Sequence, residues 1–421
     1  MGYQIFLIYV VSYFLHLTSR IPSLGQIRFD MLLMMILVFF ALSQQNNSKI
    51  IDEQKTLNNI LIMFSVYCVL TIPLVRWPGS VLKNGFELFV KVALFYLFVV
   101  IFVNTEKKLK LFVLIFVFCQ IYRGIEPVYL YMTEGYLPEK AYSGSSGNVL
   151  MRLAGAPHDV VSANPYAWVI VGTIPFIYYL GLKSNNLLKI CSLSILPLLS
   201  YGLILSGSRT GLIILLIVIL TIAVLSSHKK RGLLIAIFTI IFFGYILSGY
   251  LTTGLSQRYL SIIDNNAIGA DTVNGRINGL EKTFSTVFNV NGIFGYGIGT
   301  SKEVNANYIG RRQLTHNMYV EALQEVGIVG FIIFMLYIIT IVKYLLTSIK
   351  CCDKGTFLHR LNLAILTWVI MDLVYSLSCF GLSSWEWYLY GGMAAVCRLL
   401  SSSEYGVSEE QAFSKEQTYV R

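Results

Sequence analysis

Residues 327–348 read GIVGFIIFMLYIITIVKYLLTS, and Lys343 is the single charged side chain in this stretch. A membrane-spanning helix needs about 20 consecutive, predominantly apolar residues. The stretch therefore predicts a helix that crosses a bilayer. The composition of the whole chain agrees, because 56% of its residues are hydrophobic, 13% are charged and the mean hydropathy is +0.67. This balance excludes an ordinary soluble domain.

Similar apolar segments recur along the whole chain of 421 residues. They predict an all-α, polytopic integral membrane protein with about twelve transmembrane helices, each near the length that spans a bilayer. The segments lie near residues 4–18, 29–43, 58–75, 86–103, 109–132, 165–182, 187–206, 210–227, 232–251, 327–348, 361–381 and 385–400.

Two long loops and a polar tail divide this helical chain. The region 1–206 carries the loop 133–164, and the region 207–400 carries a longer loop at 252–326. Residues 401–421 are polar and lack apolar periodicity, which predicts a disordered tail.

The positions of lysine and arginine predict how the chain is oriented. Short cytoplasmic loops of membrane proteins carry an excess of positive charge. When the helices alternate across the membrane, a set of thirteen basic residues in the short loops falls on one side, which we expect to be the cytoplasm together with both termini. Both long loops then lie outside. The basic residues on the expected cytoplasmic side are Lys49, Lys55, Lys107, Lys108, Lys110, Lys183, Lys189, Lys229, Lys230, Arg231, Lys350, Lys354 and Arg360.

Charge and cysteine usage narrow the functional classes. The formal net charge is +10, but the basic residues are spread over membrane-flanking loops and form no continuous stripe, so nucleic acid is not an expected partner. The seven cysteines lie in apolar segments or at Cys351-Cys352 in an expected cytoplasmic loop, which argues against a disulfide framework or a thiolate metal site.

Several charged residues lie inside apolar segments, where charge is costly and marks a cavity or a paired partner. Glu87 and Lys91 are four residues apart, Arg123 and Glu126 are three apart, and Asp372 lies in the outer half of its helix. Their shared depth predicts a polar cavity that opens outward. The alternative is that the first two sets are intrahelical ion pairs near the interface.

The long loop 252–326 ends in the strongest candidate for chemistry. Only five histidines occur in the chain, and His316 stands where this loop meets an apolar helix. Arg258, Arg276, Arg311 and Arg312 precede it in the same loop. A titratable base and several anion-binding side chains are thus expected to share one loop. The simpler alternative is that His316 packs at a helix start and that the arginines are solvated.

An ordered set of motifs over residues 206–330 resembles the O-antigen ligase and polymerase superfamily of bacterial polysaccharide assembly. The set comprises the Ser208-Arg209 turn, Arg276-x3-Leu280, the glycine-rich stretch Gly295–Gly299, and His316-Asn317 followed after nine residues by Gly327-x-x-Gly330. Each motif alone is common. Their order, spacing and shared external side carry the resemblance.

This resemblance implies a glycosyltransferase in the bacterial inner membrane with its active site facing the periplasm. Its donor would be a glycan on a polyprenyl diphosphate such as undecaprenyl diphosphate, and its acceptor a glycan or a lipid A core, with ligation onto lipopolysaccharide favoured. His316 would take the proton of the acceptor hydroxyl, in an inverting step that needs no metal. Arg209 and Arg276 would bind the diphosphate, with Arg258, Arg311 and Arg312 as further candidates.

The remaining side chains have supporting roles in this hypothesis. Asn317 would hold the loop, and Glu321 would either favour the helix N-terminus or orient His316. Lys91 and Arg123 would line the outward cavity. No cofactor motif is present, and no metal site is expected.

Two other functions stay open at this point. A repeat-unit polymerase would use the same donor and the same base, and would differ only in its acceptor. A lipid-linked glycan flippase is the non-enzymatic alternative, although transporters often contain internal repeats, and none is visible in this sequence.

Overall fold

The computed structural model describes residues 1–45, 52–142, 149–159, 162–226, 279–287, 292–379 and 381–419, with the single residues 232, 237, 241, 244 and 259. The described chain is almost entirely helical, as the apolar segments predict. Its helices before the long loop are α1 (Gly2–Phe14), α2 (Leu17–Arg20), α3 (Pro22–Gln26), α4 (Phe29–Gln45), α5 (Asp52–Leu70), α6 (Pro78–Ser80), α7 (Glu87–Phe102), α8 (Glu106–Glu134), α9 (Ala163–Phe176), α10 (Asn186–Ser206) and α11 (Arg209–Leu225).

Shorter elements complete this half. A 3-10 turn spans Ile72–Leu74, and π-helical segments at Val81–Phe86 and Ile177–Leu182 join the ends of α7 and α9. Strand β1 (Glu139–Tyr142) pairs antiparallel with β2 (Val149–Arg152), so that Glu139 faces Arg152. The strands lie in the loop that the sequence predicts to be external.

After the long loop, the labelled helices are α12 (Ser301–Tyr308), α13 (Met318–Cys351), α14 (Phe357–Tyr375) and α15 (Trp385–Tyr419). Helix α13 begins nine residues before the apolar segment at 327. At Gly327 its backbone turns to φ 64° and ψ −173°, which breaks the helical path. The inner part matches the predicted spanning segment, and the outer turns are an addition that carries polar side chains.

The residues that the structure describes contain seven helices long and apolar enough to cross a membrane, and three shorter apolar helices at Gly2–Phe14, Phe29–Ser43 and Arg209–Leu225. The chain is therefore a multi-pass membrane protein. Each segment that the sequence predicts overlaps a helix, except that most of 232–251 lies outside the described residues. The total of twelve stays a prediction.

The predicted external loops meet at one end of the bundle. Arg20 binds Glu126 at 2.5 Å, the backbone of Gly85 packs against Gly299, and Leu153 donates a hydrogen bond to the carbonyl of Leu205 at 3.1 Å. The predicted cytoplasmic loops meet at the other end. There Arg360 donates to the carbonyl of Lys183 at 2.5 Å, and Tyr3 donates to that of Lys108 at 2.6 Å. The predicted alternation is therefore self-consistent; which end faces the cytoplasm remains a prediction.

Helix α15 crosses the middle of the bundle and packs against α7 and α13. Trp368 of α14 is fully buried beside it, with the ring of Tyr390 at 4.6 Å and that of Phe116 at 5.2 Å. Such aromatic contacts contribute packing beyond simple area burial. The core therefore fixes α14 and α15, whose outer ends border the candidate site.

Helix α15 continues to Tyr419, so residues 401–419 are helical where the sequence predicts a disordered tail. Glu, Gln, Ala and Lys are good helix formers, and extending an existing helix adds one hydrogen bond for each residue that it orders. The packed part of α15 supplies the nucleus that the isolated tail sequence lacks.

Candidate active site

His316 lies in the short segment between α12 and α13, with an exposed side chain. Its neighbours Thr315 and Asn317 are 3% and 6% exposed. An exposed imidazole is thus held between two buried anchors. This arrangement fixes the backbone on both sides of the base while its ring stays open to a substrate.

The anchor at Thr315 is a buried network of neutral side chains. Gln324 of α13 is completely buried and accepts a hydrogen bond from the Thr315 hydroxyl at 2.8 Å. Its amide donates to Thr286 at 2.8 Å and to Asn305 at 3.2 Å. Asn305 in turn donates to Thr315 at 3.1 Å. Buried polar groups without partners are costly, so this closed set favours one position of the loop.

The anchor at Asn317 is a helix cap. Its side-chain oxygen accepts hydrogen bonds from the backbone of Tyr319 at 3.0 Å and Val320 at 3.1 Å, which satisfies two free N–H groups at the start of α13. Its amide donates to the carbonyl of Leu377 at 3.1 Å, and Met318 N–H donates to that of Ser376 at 2.9 Å. These bonds tie the start of α13 to the residues that follow α14. We refer to Asn305, Thr315, His316, Asn317 and Gln324 as the His316 corner.

The glycine-rich stretch Gly295–Gly299 crosses α13 at its break. Gly295, Gly297 and Gly299 have φ values of 75°, 104° and 76°, a region that favours glycine. A Cβ atom on Gly327 would stand 2.3 Å from the carbonyl oxygen of Ile293. Gly327 thus serves close packing, as the sequence predicts.

Glu325 fastens this crossing. Its carboxylate is buried and accepts hydrogen bonds from the backbone of Gly299 at 2.8 Å and of Ser301 at 3.2 Å. The glycine stretch and the start of α12 are therefore tied to the outer turns of α13, directly beneath the loop that carries His316.

Glu321 has a similar structural task. Its carboxylate accepts hydrogen bonds from the backbone of Gly381 at 2.6 Å and Leu382 at 3.2 Å, which connects α13 to the loop before α15. The hypothesis that Glu321 orients His316 receives no support from these contacts. On a helix that begins at Met318, Glu321 faces the bundle interior, whereas His316 lies before the helix.

A second group of polar side chains surrounds Arg209, the first residue of α11. Ser208 caps this helix by accepting a hydrogen bond from Gly211 N–H at 3.0 Å, and its hydroxyl donates to Asn164 at 2.9 Å. Asn164 also accepts from Arg152 at 3.3 Å.

Arg152 connects this turn to the hairpin. It is 3% exposed, donates to the carbonyl of Ser206 at 2.7 Å and forms an ion pair with Glu139 at 2.8 Å. The loop 133–164 is thus joined to the Ser208-Arg209 turn by charged hydrogen bonds. We refer to Glu139, Arg152, Asn164, Ser208 and Arg209 as the Arg209 corner.

The two corners are connected through the end of α14. Ser378 donates a hydrogen bond to the hydroxyl of Thr210, the residue after Arg209, at 3.4 Å. Leu377, the residue before Ser378, accepts the bond from Asn317. The structure therefore brings Arg209 and His316 to the same end of the bundle, on either side of residues 376–378.

The pairing of Arg123 differs from the intrahelical alternative. Arg123 binds Asp159 through two hydrogen bonds of 2.7 Å and 2.8 Å, and Glu126 binds Arg20 instead. His16 also contacts Asp159, at 3.3 Å. Burial alone would raise the pKa of Asp159, but the hydrogen bonds and charges of His16 and Arg123 outweigh it and lower the pKa to about 2. Arg123 thus holds the loop 133–164 to α8.

The charged residues that the sequence predicts to share one cavity form separate contacts. Glu87 and Lys91 form an exposed intrahelical ion pair of 2.5 Å, as the alternative interpretation predicts. Asp372 is buried and accepts a hydrogen bond from Trp168 at 2.8 Å. Lys91 borders an open groove that neither Arg123 nor Asp372 lines.

The structure describes two of the four other arginines that the sequence predicts to bind the diphosphate. Arg311 and Arg312 are exposed in the segment between α12 and His316. Arg258 and Arg276 lie outside the described residues. In the described part of the chain, no three His, Cys, Asp or Glu side chains are grouped so that they could hold a metal ion.

Sequence reasoning missed Gln324, Asn305, Asp159 and Glu139. A signal existed for Gln324, because positions 317, 321 and 324 lie on one face of a helix that starts at Met318. The partners of Arg123 and Arg152 gave no local signal, since they come from distant parts of the loop.

A family model described as O-antigen ligase matches residues 194–335. The matched segment contains Arg209, the glycine-rich stretch, His316 and Gly327. The resemblance to the O-antigen ligase superfamily is confirmed over this segment, and the match supports a membrane enzyme of the O-antigen ligase or polymerase type. No curated protein matches the chain.

Proposed function

We propose that this protein is a glycosyltransferase that moves a glycan from a polyprenyl diphosphate carrier to an acceptor, with a lipopolysaccharide core favoured, at the periplasmic face of the bacterial inner membrane. One observation carries the proposal. An exposed imidazole stands between two buried anchors, at the same end of the bundle as Arg209, within the segment that matches the O-antigen ligase model.

His316 acts as the general base in this proposal. The acceptor hydroxyl oxygen attacks the anomeric carbon of the donor and forms the new glycosidic bond, while the bond from that carbon to the diphosphate oxygen breaks. The proton of the hydroxyl passes to the imidazole, and the electron pair of the broken bond leaves with the diphosphate. A single displacement of this kind inverts the anomeric centre. The rigid anchors at Thr315 and Asn317 support this role because a base must be positioned accurately.

Arg209 binds the departing diphosphate in this proposal. Its guanidinium can form paired hydrogen bonds with phosphate oxygens, and its place in the first turn of α11 adds the partial positive charge of a helix N-terminus. Arg276 is a second proposed ligand, with Arg258, Arg311 and Arg312 as further cations along the path. The charge that develops on the leaving group is therefore met by cations, and no divalent ion enters the proposal.

The roles of His316 and Arg209 can be tested with purified protein in liposomes, a polyprenyl-diphosphate glycan and an acceptor. We expect His316→Ala to lower the transfer rate on the order of 10²- to 10⁴-fold, the usual contribution of a general base. His359→Ala, at the opposite end of the bundle, is the matched control. Wild-type activity in the His316 variant would overturn the proposed base.

Ligation and polymerisation differ in the glycans that a deletion strain accumulates. For a ligase we expect surface lipopolysaccharide without a ladder and free lipid-linked polymer. A single repeat unit on the core would instead identify a polymerase, which uses the same site with a different acceptor.

A further inference from the structure

A groove of about 540 Å³ opens at the outer end of α1, α4 and α7, formed by none of the residues of the His316 or Arg209 corners. Its rim carries Arg28, Asp30, Glu87 and Lys91. These side chains lie where α4 and α7 begin, at the end of the bundle that holds the external loops. The groove thus lies at the level where lipid headgroups meet the outer ends of the helices.

Deeper residues give the groove an apolar floor. Tyr9 and Tyr13 come from successive turns of α1, and Met31 and Met34 from the first turns of α4. Aromatic rings and the flexible thioether of methionine pack well against irregular hydrocarbon. A polar rim above an apolar floor matches an amphiphile that enters from the membrane, and not a free soluble ion.

The four charged groups of the rim are not equivalent. Glu87 and Lys91 form a closed pair of 2.5 Å. Asp30 accepts hydrogen bonds from the hydroxyls of Thr18, at 2.8 Å, and Ser12, and both donors are neutral. Within the described part of the chain, no side chain forms a hydrogen bond or ion pair with the exposed Arg28. Arg28 also interacts electrostatically with Glu87, but Glu87 is paired with Lys91. One cation and one anion, two residues apart, therefore face the groove without an ion pair of their own.

The backbone at Arg28 adopts a conformation that is uncommon for a residue other than glycine. Its φ is 48°, and His16, at the start of the same segment, has φ 50°; no other non-glycine residue among those described has a positive φ. A side chain in this region costs free energy unless its surroundings enforce it, and such residues concentrate at ligand sites.

We propose that the groove binds one zwitterionic phospholipid of the phosphatidylethanolamine type. Arg28 receives the phosphate, Asp30 receives the primary ammonium, and an acyl chain lies along Tyr9, Tyr13 and Met34. Charge complementarity selects this occupant. A phosphatidylglycerol offers no cation to Asp30, and the quaternary ammonium of a phosphatidylcholine offers it no N–H donor.

Native mass spectrometry of the detergent-purified full chain, titrated with each of these three phospholipids, tests the proposal. We expect one phosphatidylethanolamine to bind more tightly than either competitor. Asp30→Asn should reduce that preference about fivefold, the factor for one charge contact at a partly exposed site. Arg28→Gln should weaken the binding of phosphatidylethanolamine and of phosphatidylglycerol to the same extent.

The matched control is Lys110→Gln, because Lys110 forms an exposed pair of the same spacing with Glu106 at the other end of the bundle. It should leave the preference unchanged. Since Asp30→Asn also touches the Ser12 and Thr18 contacts, Met34→Trp provides an independent variant that places a bulky ring in the path of the proposed acyl chain and keeps every charge. We expect it to abolish the adduct. Equal binding of all three lipids by the wild type, or an unchanged adduct in both groove variants, would overturn the proposal.

Discussion

The His316 corner and the Arg209 corner lie at the same end of the bundle, but different chemistry holds them. Around His316 the anchoring groups are neutral amides and hydroxyls from Gln324, Asn305 and Thr315. Around Arg209 they include the charged pair of Arg152 and Glu139. A base profits from neighbours that fix it without charging it, whereas an anion site profits from a cation whose turn is held in place by charged hydrogen bonds. The difference therefore matches the two roles that we propose.

After His316→Ala, the largest expected effect is on the Arg209 corner. Arg209→Ala should lower the transfer rate on the order of 10²- to 10³-fold, because a group that stabilises developing charge is lost. Arg209→Lys keeps the charge but loses the planar fork, so its transfer rate should lie between those of the wild type and Arg209→Ala. The steady-state rate with the lipid-diphosphate donor is the measurement. If the lysine variant were as slow as the alanine variant, charge at this position would not explain the role.

Loss of the ion pair behind Arg209 should cost stability. Arg152→Ala removes the ion-pair partner of Glu139, which is 25% exposed and keeps its hydrogen bond from the Ala163 N–H, so we expect a loss of about 1.5–3 kcal/mol, the contribution of a charged hydrogen bond. Thermal unfolding in detergent measures this loss. Lys91→Ala, which breaks an exposed pair, should cost much less. Equal losses in the two variants would contradict the buried character of the Arg209 corner.

The neutral network should respond differently. Gln324→Ala leaves the groups of Thr315, Thr286 and Asn305 short of partners, at a cost of about 1–3 kcal/mol for a buried group left unsatisfied. Because the anchor before His316 is loosened, kcat should fall while KM for the donor changes little. Asn307→Ala, on the exposed face of α12, is the control. A variant that unfolds earlier but keeps its kcat would assign Gln324 to stability alone.

The ionisation of Asp159 should make a smaller contribution to the free energy of unfolding, and this contribution should depend on pH. Its folded pKa of about 2 lies below the ordinary value of 3.8, so its stabilisation is complete above pH 3.8 and is lost as the pH falls towards 2. The shift corresponds to about 2 kcal/mol. Unfolding of the wild type, compared with Asp159→Asn from pH 5 to pH 2, measures it. The two curves should converge at low pH, and parallel curves would contradict the assignment.

The sequence predicts the helices well because a bilayer requires long apolar runs. The start of α13 shows the limit of this approach. The apolar run begins at Gly327, but the helix begins at Met318, because Asn317 caps it and the buried polar side chains after it have partners. Thr315, Thr286 and Asn305 satisfy Gln324, and the glycine-rich stretch satisfies Glu325. A hydropathy profile assigns such polar residues to a loop. Only their partners, which lie elsewhere in the chain, make them helical and buried.

The sequence predicts which residues belong to the candidate site better than it predicts which residues they contact. His316 and Arg209 stand out as a base and a cation at helix starts, and the structure places them at one end. For Arg123, helical spacing suggested Glu126, whereas the partner is Asp159 from the distant loop. Spacing along a helix cannot weigh a local partner against one brought by tertiary structure. Long-range pairs therefore escape sequence reasoning.

The central claim is that His316 works outside the cytoplasm. Truncated fusions that end at Arg312 and carry either alkaline phosphatase, which is active only outside, or a fluorescent protein, which folds inside, test it directly; fusions that end at Lys183 serve as the opposite control. We expect phosphatase activity without fluorescence at Arg312 and the reverse at Lys183. Fluorescence without phosphatase activity at Arg312 would place His316 in the cytoplasm and contradict the account.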